Sequence, residues 1–136
     1  MAEHLQAEND HDLDRILATY GEDPLVLINH QIFEGLERIK LFHEKFGFSN
    51  QGSFSEVKVE EKRRYESPDA IILELVLSGR HTGEWQGVKP TGRCFELPVC
   101  TVYLFDDKNK LSGERVYFDQ ALLMKELGLL PDRPKP

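Results

Sequence analysis

The residues best suited to chemistry lie near the end of the chain, where a strand runs directly into a helix. The polar face of this strand carries Arg115, Tyr117 and Asp119, which alternate with apolar residues. A carboxylate taken into an apolar pocket has its charged form disfavoured, so its pKa rises toward the range useful for proton transfer. Asp119 is therefore a candidate general acid/base, although a nearby Arg115 would oppose that shift. The alternative is that Asp119 caps the helix that begins after it.

Two further candidates lie between residues 81 and 92. His81 follows a strand and shares its face with Leu75 and Leu77, and imidazole titrates near neutral pH, which makes it a candidate acid/base partner. Trp85 opens a loop rich in Gly and Pro, where an aromatic side chain could close a pocket. The alternatives are a histidine bonded to backbone at a strand end and a tryptophan that belongs to the core.

Several side chains could contact a ligand. The phenols of Tyr117 and Tyr20 could donate a hydrogen bond to an oxygen that carries developing negative charge, but each could instead be a core tyrosine with a satisfied hydroxyl. His4 and Asn9 lie in a polar N-terminal segment and are candidates for the pocket wall, whereas His43 has no partner that the sequence identifies. The predicted ligand-contacting residues are Tyr117, Trp85, Tyr20, Tyr103, Arg115, His4 and Asn9.

Composition limits the classes of function. The 136 residues include 17 basic and 24 acidic ones, for a net charge of −7. An acidic domain lacks the counterion release that supplies most nucleic-acid affinity, so we expect no nucleic-acid partner. No apolar run is long enough for a membrane span, and Met1 is followed at once by polar residues. We therefore expect a cytoplasmic protein with no membrane partner.

No motif in the sequence indicates a metal or a cofactor. Cys94 and Cys100 fall in one predicted strand, where about 20 Å would separate them, too far for a disulfide. No clustered Cys and His residues have the spacing of a structural zinc site. The glycine-containing loop 83–92 lacks the spacing and the strand-to-helix context of a phosphate-binding loop. We predict neither a metal nor a cofactor.

The first half of the chain is predicted to be mainly helical. After a short N-terminal segment of about two helical turns, Asp10 is a plausible N-cap for a helix that ends at Gly21. Two short apolar runs, 25–28 and 31–33, predict a hairpin around Asn29-His30. From Gly35 the apolar period becomes helical, and Gly47 ends that helix.

The second half has the alternation of a sheet. Strands are predicted at 54–65, 71–79, 93–105 and from 113 to the junction at Asp119, with a helix from Ala121 to Leu127. Their short connections favour an antiparallel meander. Together the elements predict an α+β fold, in which a strongly curved sheet is covered on its concave face by helices, as a single domain over residues 1–136.

Three segments resemble a known family. The run HTGEWQGVKPTGRCFEL (81–97), followed by GERVYFD (113–119) and LGLLP (127–131), is similar to SnoaL-like proteins of the nuclear transport factor 2-like superfamily. The predicted order of helices and strands agrees with that superfamily over nearly the whole chain. The resemblance implies a cone-shaped, mainly antiparallel barrel with an apolar pocket, and a homodimer formed through the outer face of the sheet.

The resemblance also implies a function. In polyketide cyclases of this family an Asp on the final strand acts as general acid/base, and Asp119 falls at the matching position. Cyclases commonly place a His or Asp in the preceding strand, where this chain has Thr101 and Tyr103. The implied activity is cofactor-independent proton transfer on a small, largely apolar, carbonyl-bearing molecule, as in a cyclase, isomerase or hydratase. The alternative is a non-catalytic ligand-binding or dimerisation module.

Overall fold

Four helices and six strands make up residues 2–130, the part of the chain that the computed structural model describes. The helices are α1 (Ala2–Asn9), α2 (Leu13–Ala18), α3 (Leu36–Phe46) and α4 (Gln120–Glu126). The strands are β1 (Tyr20–Ile28), β2 (Gln31–Glu34), β3 (Phe54–Glu66), β4 (Ala70–His81), β5 (Cys94–Phe105) and β6 (Leu111–Phe118). Among the described residues no helix is long and apolar enough to cross a membrane.

All six strands belong to one curled sheet. Its order is β2-β1-β6-β5-β4-β3, and the four long strands β3 to β6 pair antiparallel with their chain neighbours. The predicted meander and the α+β class are thus confirmed. The hairpin of β1 and β2 around Asn29-His30 is also confirmed, and β1 joins the sheet by pairing parallel to β6.

The second helix is shorter than predicted. Its N-cap is Asp12 rather than Asp10, because the Asp12 carboxylate accepts a hydrogen bond from the backbone N–H of Arg15. It ends before Gly21, because the carbonyl of Thr19 accepts a hydrogen bond from Leu111 and the backbone then enters the sheet at Tyr20. Pairing with a strand from the end of the chain therefore overrides the local helical period.

The concave face of the sheet supplies the core. Leu75 of β4 lies opposite Val99 of β5, and both are buried. Farther along the same inward-facing rows the side chains become polar: Thr101 and Tyr103 of β5, and Glu114 of β6, are all buried. Because Tyr103 pairs directly with Glu114 in the ladder, their side chains emerge side by side on the covered face.

Candidate functional site

A cavity of about 280 Å³ opens between the concave face of the sheet and the helices. Most of its wall is apolar and aromatic, with contributions that include Phe42, Phe46, Leu75, Leu97, Val116 and Phe118. A cavity of this size and lining suits a small, largely apolar molecule.

A cluster of buried polar residues lies at this cavity. Glu8, His43, Tyr103 and Glu114 line the cavity, and His4 contacts them. Helix α1 carries His4 and Glu8, and α3 carries His43. Strands β5 and β6 carry Tyr103 and Glu114, and Tyr20 of β1 joins the group by its hydrogen bond with Glu114. We call these six residues the polar cluster.

Glu114 is the carboxylate of the polar cluster with the shortest contacts to neighbouring side chains. The hydroxyl of Tyr20 donates a hydrogen bond of 2.7 Å to its Oε1, and Nε2 of His4 lies 3.1 Å from the same oxygen. Burial alone would raise the pKa of Glu114, but the positive charge of His4 and its contact, together with His43 and Tyr20, lower that pKa below its ordinary value. Glu114 is therefore ionised at neutral pH in spite of its burial.

His4 is held in one orientation. The hydroxyl of Thr19 donates to the Ile16 carbonyl at 2.6 Å, so Thr19 Oγ1 accepts the N–H of His4 Nδ1 at 2.8 Å. The other nitrogen, Nε2, faces Glu114 and lies 3.7 Å from Oε1 of Glu8. Burial would lower the pKa of His4, but the charges of Glu8 and Glu114 raise it to about 9.

His43 is oriented in the same way. Its Nδ1 donates to the carbonyl of Ile39 at 2.8 Å, one turn earlier in α3. Its Nε2 lies 3.7 Å from Oε2 of Glu8. Glu8 is therefore placed between the two imidazoles, with one oxygen toward each.

The two tyrosines of the cluster are hydrogen-bond donors. Burial raises the pKa of Tyr20 and of Tyr103 well above the ordinary value, and the charge of Glu114 adds to the shift. Both phenols therefore keep their proton. Tyr103 lines the cavity, where its hydroxyl can donate to a ligand oxygen.

Comparison with known proteins identifies the family. The family model of the SnoaL-like polyketide cyclases matches residues 2–127. The chain belongs to the SnoaL-like polyketide cyclase family. Aklanonic acid methyl ester cyclase AcmA of Streptomyces galilaeus is 35% identical over 81 residues, which are 60% of this chain and 52% of AcmA. The chain thus spans about half the length of this curated relative.

Solved structures agree with this SnoaL-like fold. AclR of Streptomyces galilaeus is 25% identical, with a TM-score of 0.80 over 98% of this chain and 82% of AclR. A protein of ketosteroid isomerase-like fold from Catenulispora acidiphila is 14% identical, with a TM-score of 0.77 over 95% of this chain and 92% of its own. The predicted resemblance to the nuclear transport factor 2-like fold is therefore confirmed.

Asp119 lies outside the cavity of this SnoaL-like chain. It is exposed, and its carboxylate accepts a hydrogen bond of 3.1 Å from the backbone N–H of Leu122 in the helix that it caps. An exposed carboxylate bonded to its own helix lacks the apolar surroundings that the acid/base role requires. We correct that prediction, and the alternative of capping holds.

Arg115 and Tyr117 share the outer face of β6 and are exposed. The alternation predicted for this strand is right, but the row that lines the cavity is the other one, with Glu114, Val116 and Phe118. The predicted ligand contacts of Arg115 and Tyr117 with an internal molecule are therefore also corrected, because a strand presents alternate residues to opposite faces.

His81 is fully buried but does not line the cavity. Its Nδ1 accepts a hydrogen bond from the backbone N–H of Thr91, and its ring packs against Phe54. This is the alternative of a histidine bonded to backbone at a strand end, so the predicted catalytic role is corrected. Trp85 does line the cavity, and it also packs on Phe54 with ring centroids 5.8 Å apart.

The remaining predicted residues divide between the polar cluster and the framework. Tyr103 lines the cavity, whereas His4 and Tyr20 lie behind the lining and contact Glu114. Asn9 is a framework residue, because its amide donates to the carbonyl of Val59 and accepts from the Val59 N–H. It fixes α1 to β3 and so holds the cluster against the sheet.

Three functional candidates were missed by reasoning from the sequence: Glu8, His43 and Glu114. One available signal was the spacing of His4 and Glu8, which places both on one face of a helix. Another was the alternation of β6, which puts Glu114 in the same row as Val116. The proximity of Glu8 and Glu114 to His43 depends on the packing of α1, α3 and β6, which no local sequence pattern predicts.

Proposed function

We propose that this SnoaL-like chain binds a small, largely apolar, carbonyl-bearing molecule in its cavity and transfers a proton on it, with Glu114 as the base. The observation that carries the proposal is an ionised carboxylate in the wall of an otherwise largely apolar cavity. Such a group can remove a proton where bulk water does not compete. The activity would be of the cyclase, isomerase or hydratase type.

The positions of Glu114 and Tyr103 are suited to proton transfer on a carbonyl compound. Both contacts of the Glu114 carboxylate with described side chains fall on Oε1, so Oε2 can take a proton from the carbon next to a carbonyl. The C–H electron pair then moves to the carbonyl oxygen, where the Tyr103 hydroxyl can donate a hydrogen bond to the enolate. Return of the same proton to another carbon completes an isomerisation.

Ring closure uses the same groups. The enolate carbon attacks a second carbonyl of the same molecule, a carbon–carbon bond forms, and the resulting alkoxide takes the proton back from Glu114. All atoms of the substrate are retained. The likeness to AcmA, an aklanonic acid methyl ester cyclase, supports a polyketide ester as one substrate class.

The test is proton exchange on a simple ketone. β-Tetralone is small, apolar and acidic next to its carbonyl, and in D₂O the loss of its C–H signal is followed by NMR. We expect wild-type protein to accelerate the exchange above the spontaneous rate. Glu114→Gln should reduce the added rate by about 100-fold or more, the range typical of general base catalysis.

Asp119→Asn is the matched control, because it changes a carboxylate that directly follows β6 and lies outside the cavity. It should leave the exchange rate unchanged. Loss of exchange in Asp119→Asn with full activity in Glu114→Gln would contradict the proposal. Binding of β-tetralone without acceleration, and with no conversion of aklanonic acid methyl ester, would support the alternative of a non-catalytic binding module.

A further inference from the structure

We infer that His4, Glu8 and His43 form a binding site for a divalent transition-metal ion, of which Zn²⁺ is the model. All three side chains are buried, and their ligand atoms lie within 4.8 Å of one another. Two imidazole nitrogens and one carboxylate are a ligand set that zinc and iron(II) both accept. The inference goes beyond proton transfer by Glu114, which is not one of the three ligands.

Both imidazoles are oriented as metal ligands are. A ligating histidine usually donates its other N–H to a carbonyl, a carboxylate or water, which fixes the ring and its tautomer. Here Nδ1 of His43 donates to the Ile39 carbonyl at 2.8 Å, and Nδ1 of His4 donates to Thr19 Oγ1 at 2.8 Å. Metal binding requires neutral imidazoles, in which each Nε2 carries a lone pair, and both Nε2 atoms lie 3.7 Å from oxygens of Glu8.

A further observation concerns Nε2 of His4. Nε2 of His4 is buried, and no described residue forms a hydrogen bond with it. The 3.1 Å contact with Glu114 is a charge contact that lacks hydrogen-bond alignment. A buried ring nitrogen without a hydrogen-bond partner is costly and calls for an explanation. A metal ion between the three side chains, bound in place of the Nε2 proton, would satisfy it.

The spacing fits a first-row ion. Zinc lies about 2.0–2.2 Å from nitrogen and oxygen ligands, so tetrahedral ligands are about 3.4 Å from each other. Glu8 lies 3.7 Å from Nε2 of His4 and 3.7 Å from Nε2 of His43. Small side-chain adjustments would bring the three atoms to coordination distance.

Charge and access also agree with a bound cation. Glu8 and Glu114 are two buried carboxylates at one site, and a divalent ion with two neutral imidazoles would balance both charges. Glu8 and His43 line the cavity, so an ion held there would keep an open position toward a ligand, as catalytic zinc sites do. It would polarise a carbonyl oxygen placed beside it.

The inference relies on the proposed function only for that carbonyl, and metal binding is measured without any substrate. The 136-residue chain is dialysed against a chelator and titrated with Zn²⁺ by calorimetry, and with Co²⁺ by visible absorption. We expect one equivalent to bind with a Kd in the micromolar range or tighter. Glu8→Gln and His43→Gln should each weaken binding by about 100-fold or more.

His11→Gln is the matched control. His11 lies outside the cluster, and its nitrogens already contact Asn50 and the Val57 carbonyl, so its replacement should leave Zn²⁺ affinity unchanged. Equal affinity in wild type and Glu8→Gln would overturn the inference. Failure of the wild type to bind Zn²⁺ and Co²⁺ below millimolar concentration would also overturn it.

A measurement on the wild type removes any dependence on how the variants fold. Nitrogen-15 spectra of the histidine rings should show Nε2 of His4 and His43 shifting on addition of Zn²⁺, with His81 unchanged. Unshifted His4 and His43 would overturn the inference. Proton exchange on the ketone that persists in chelator would leave the proposed function in place. The metal site and the proton transfer by Glu114 can therefore be disproved independently.

Discussion

Two carboxylates close together in the sequence have different surroundings. Glu114 is buried, paired with Tyr20 and His4, and lines the cavity. Asp119 is exposed and bonded to the backbone of the helix it precedes. The two carboxyl groups are chemically alike, so the difference arises from their positions. Glu114 lies on the covered face of β6, whereas Asp119 follows the end of that strand.

The capping role of Asp119 predicts a stability effect without a catalytic one. Asp119→Ala removes the acceptor for the Leu122 N–H and should lower the free energy of unfolding by about 0.5–2 kcal/mol. Urea denaturation measures it. Asp107→Ala, at an exposed turn position that caps no helix, should change the free energy of unfolding by less than about 0.5 kcal/mol. Equal effects of the two substitutions would contradict the assignment.

The buried imidazole of His4 predicts a pH dependence of stability in the metal-free protein. Its folded-state pKa is about 9, above the ordinary value of about 6.5. The stabilisation is therefore fully present below pH ~6.5 and is lost as the pH rises through ~9. The free energy of unfolding should fall over this interval by an amount on the order of 1–3 kcal/mol.

Glu114 and the two tyrosines that face His4 titrate outside this pH interval. Glu8 and His43 face it from α1 and α3, and Tyr20, Tyr103 and Glu114 face it from the sheet. The pKa of Glu114 is lowered and those of both tyrosines are raised. Urea denaturation in chelator from pH 6 to 9.5 tests the slope, and His4→Gln should flatten it. A slope that survives in His4→Gln would assign it to another group.

At the level of elements, the end of α3 depends on a glycine. Gly47 has φ +140°, and an added Cβ would collide with the carbonyl of Phe54 at the start of β3. Gly47→Ala should therefore lower the free energy of unfolding by about 1–3 kcal/mol, as backbone strain and a clash combine. Thermal unfolding measures it.

Gly87 is the matched control for Gly47. It also has a positive φ, of +80°, but nothing lies within 4 Å of an added Cβ. Gly87→Ala should show only the smaller cost of an unfavourable backbone conformation, about 1 kcal/mol. If both substitutions destabilise the protein equally, the contact with Phe54 has no part in ending the helix.

The elements that the sequence predicts well are those with a strong local signal. Alternation located β3 to β6, helical period and two glycines located α3, and Asn29-His30 located the hairpin. The parallel pairing of β1 with β6 has no such signal, because it joins distant segments. In β6 the alternation separated two faces correctly, but a period of two does not say which face the helices cover.

At the scale of the whole molecule, the outer face of the sheet carries exposed aromatic and aliphatic side chains. Tyr65 is 45% exposed, Ile72 is 37% exposed and Tyr117 is 43% exposed. Such a surface is available for association with a second copy of the chain. We therefore keep the homodimer as a proposal, with this face as its interface.

Charge substitution tests the homodimer. We expect wild-type protein to sediment as a dimer, and Ile72→Glu with Tyr117→Glu to sediment as a monomer with unchanged circular dichroism. Because the chain has a net charge of −7, the dimer should weaken at low salt, where like charges repel over a longer range. Replacement of Leu41, an exposed residue of α3 rather than of the sheet, by Glu serves as control. A monomeric wild type would contradict the proposal.

The pairing of β1 with β6 has a consequence for synthesis of the chain. The hydrogen bond between Tyr20 and Glu114 spans 94 positions, and closing so long a loop is slow compared with forming the neighbouring hairpins. During translation His4 and Tyr20 emerge well before Glu114, so their contacts with its carboxylate form only after β6 is made. The scaffold of β3, β4 and β5 can form earlier. The polar cluster is therefore completed only after β6 has been made.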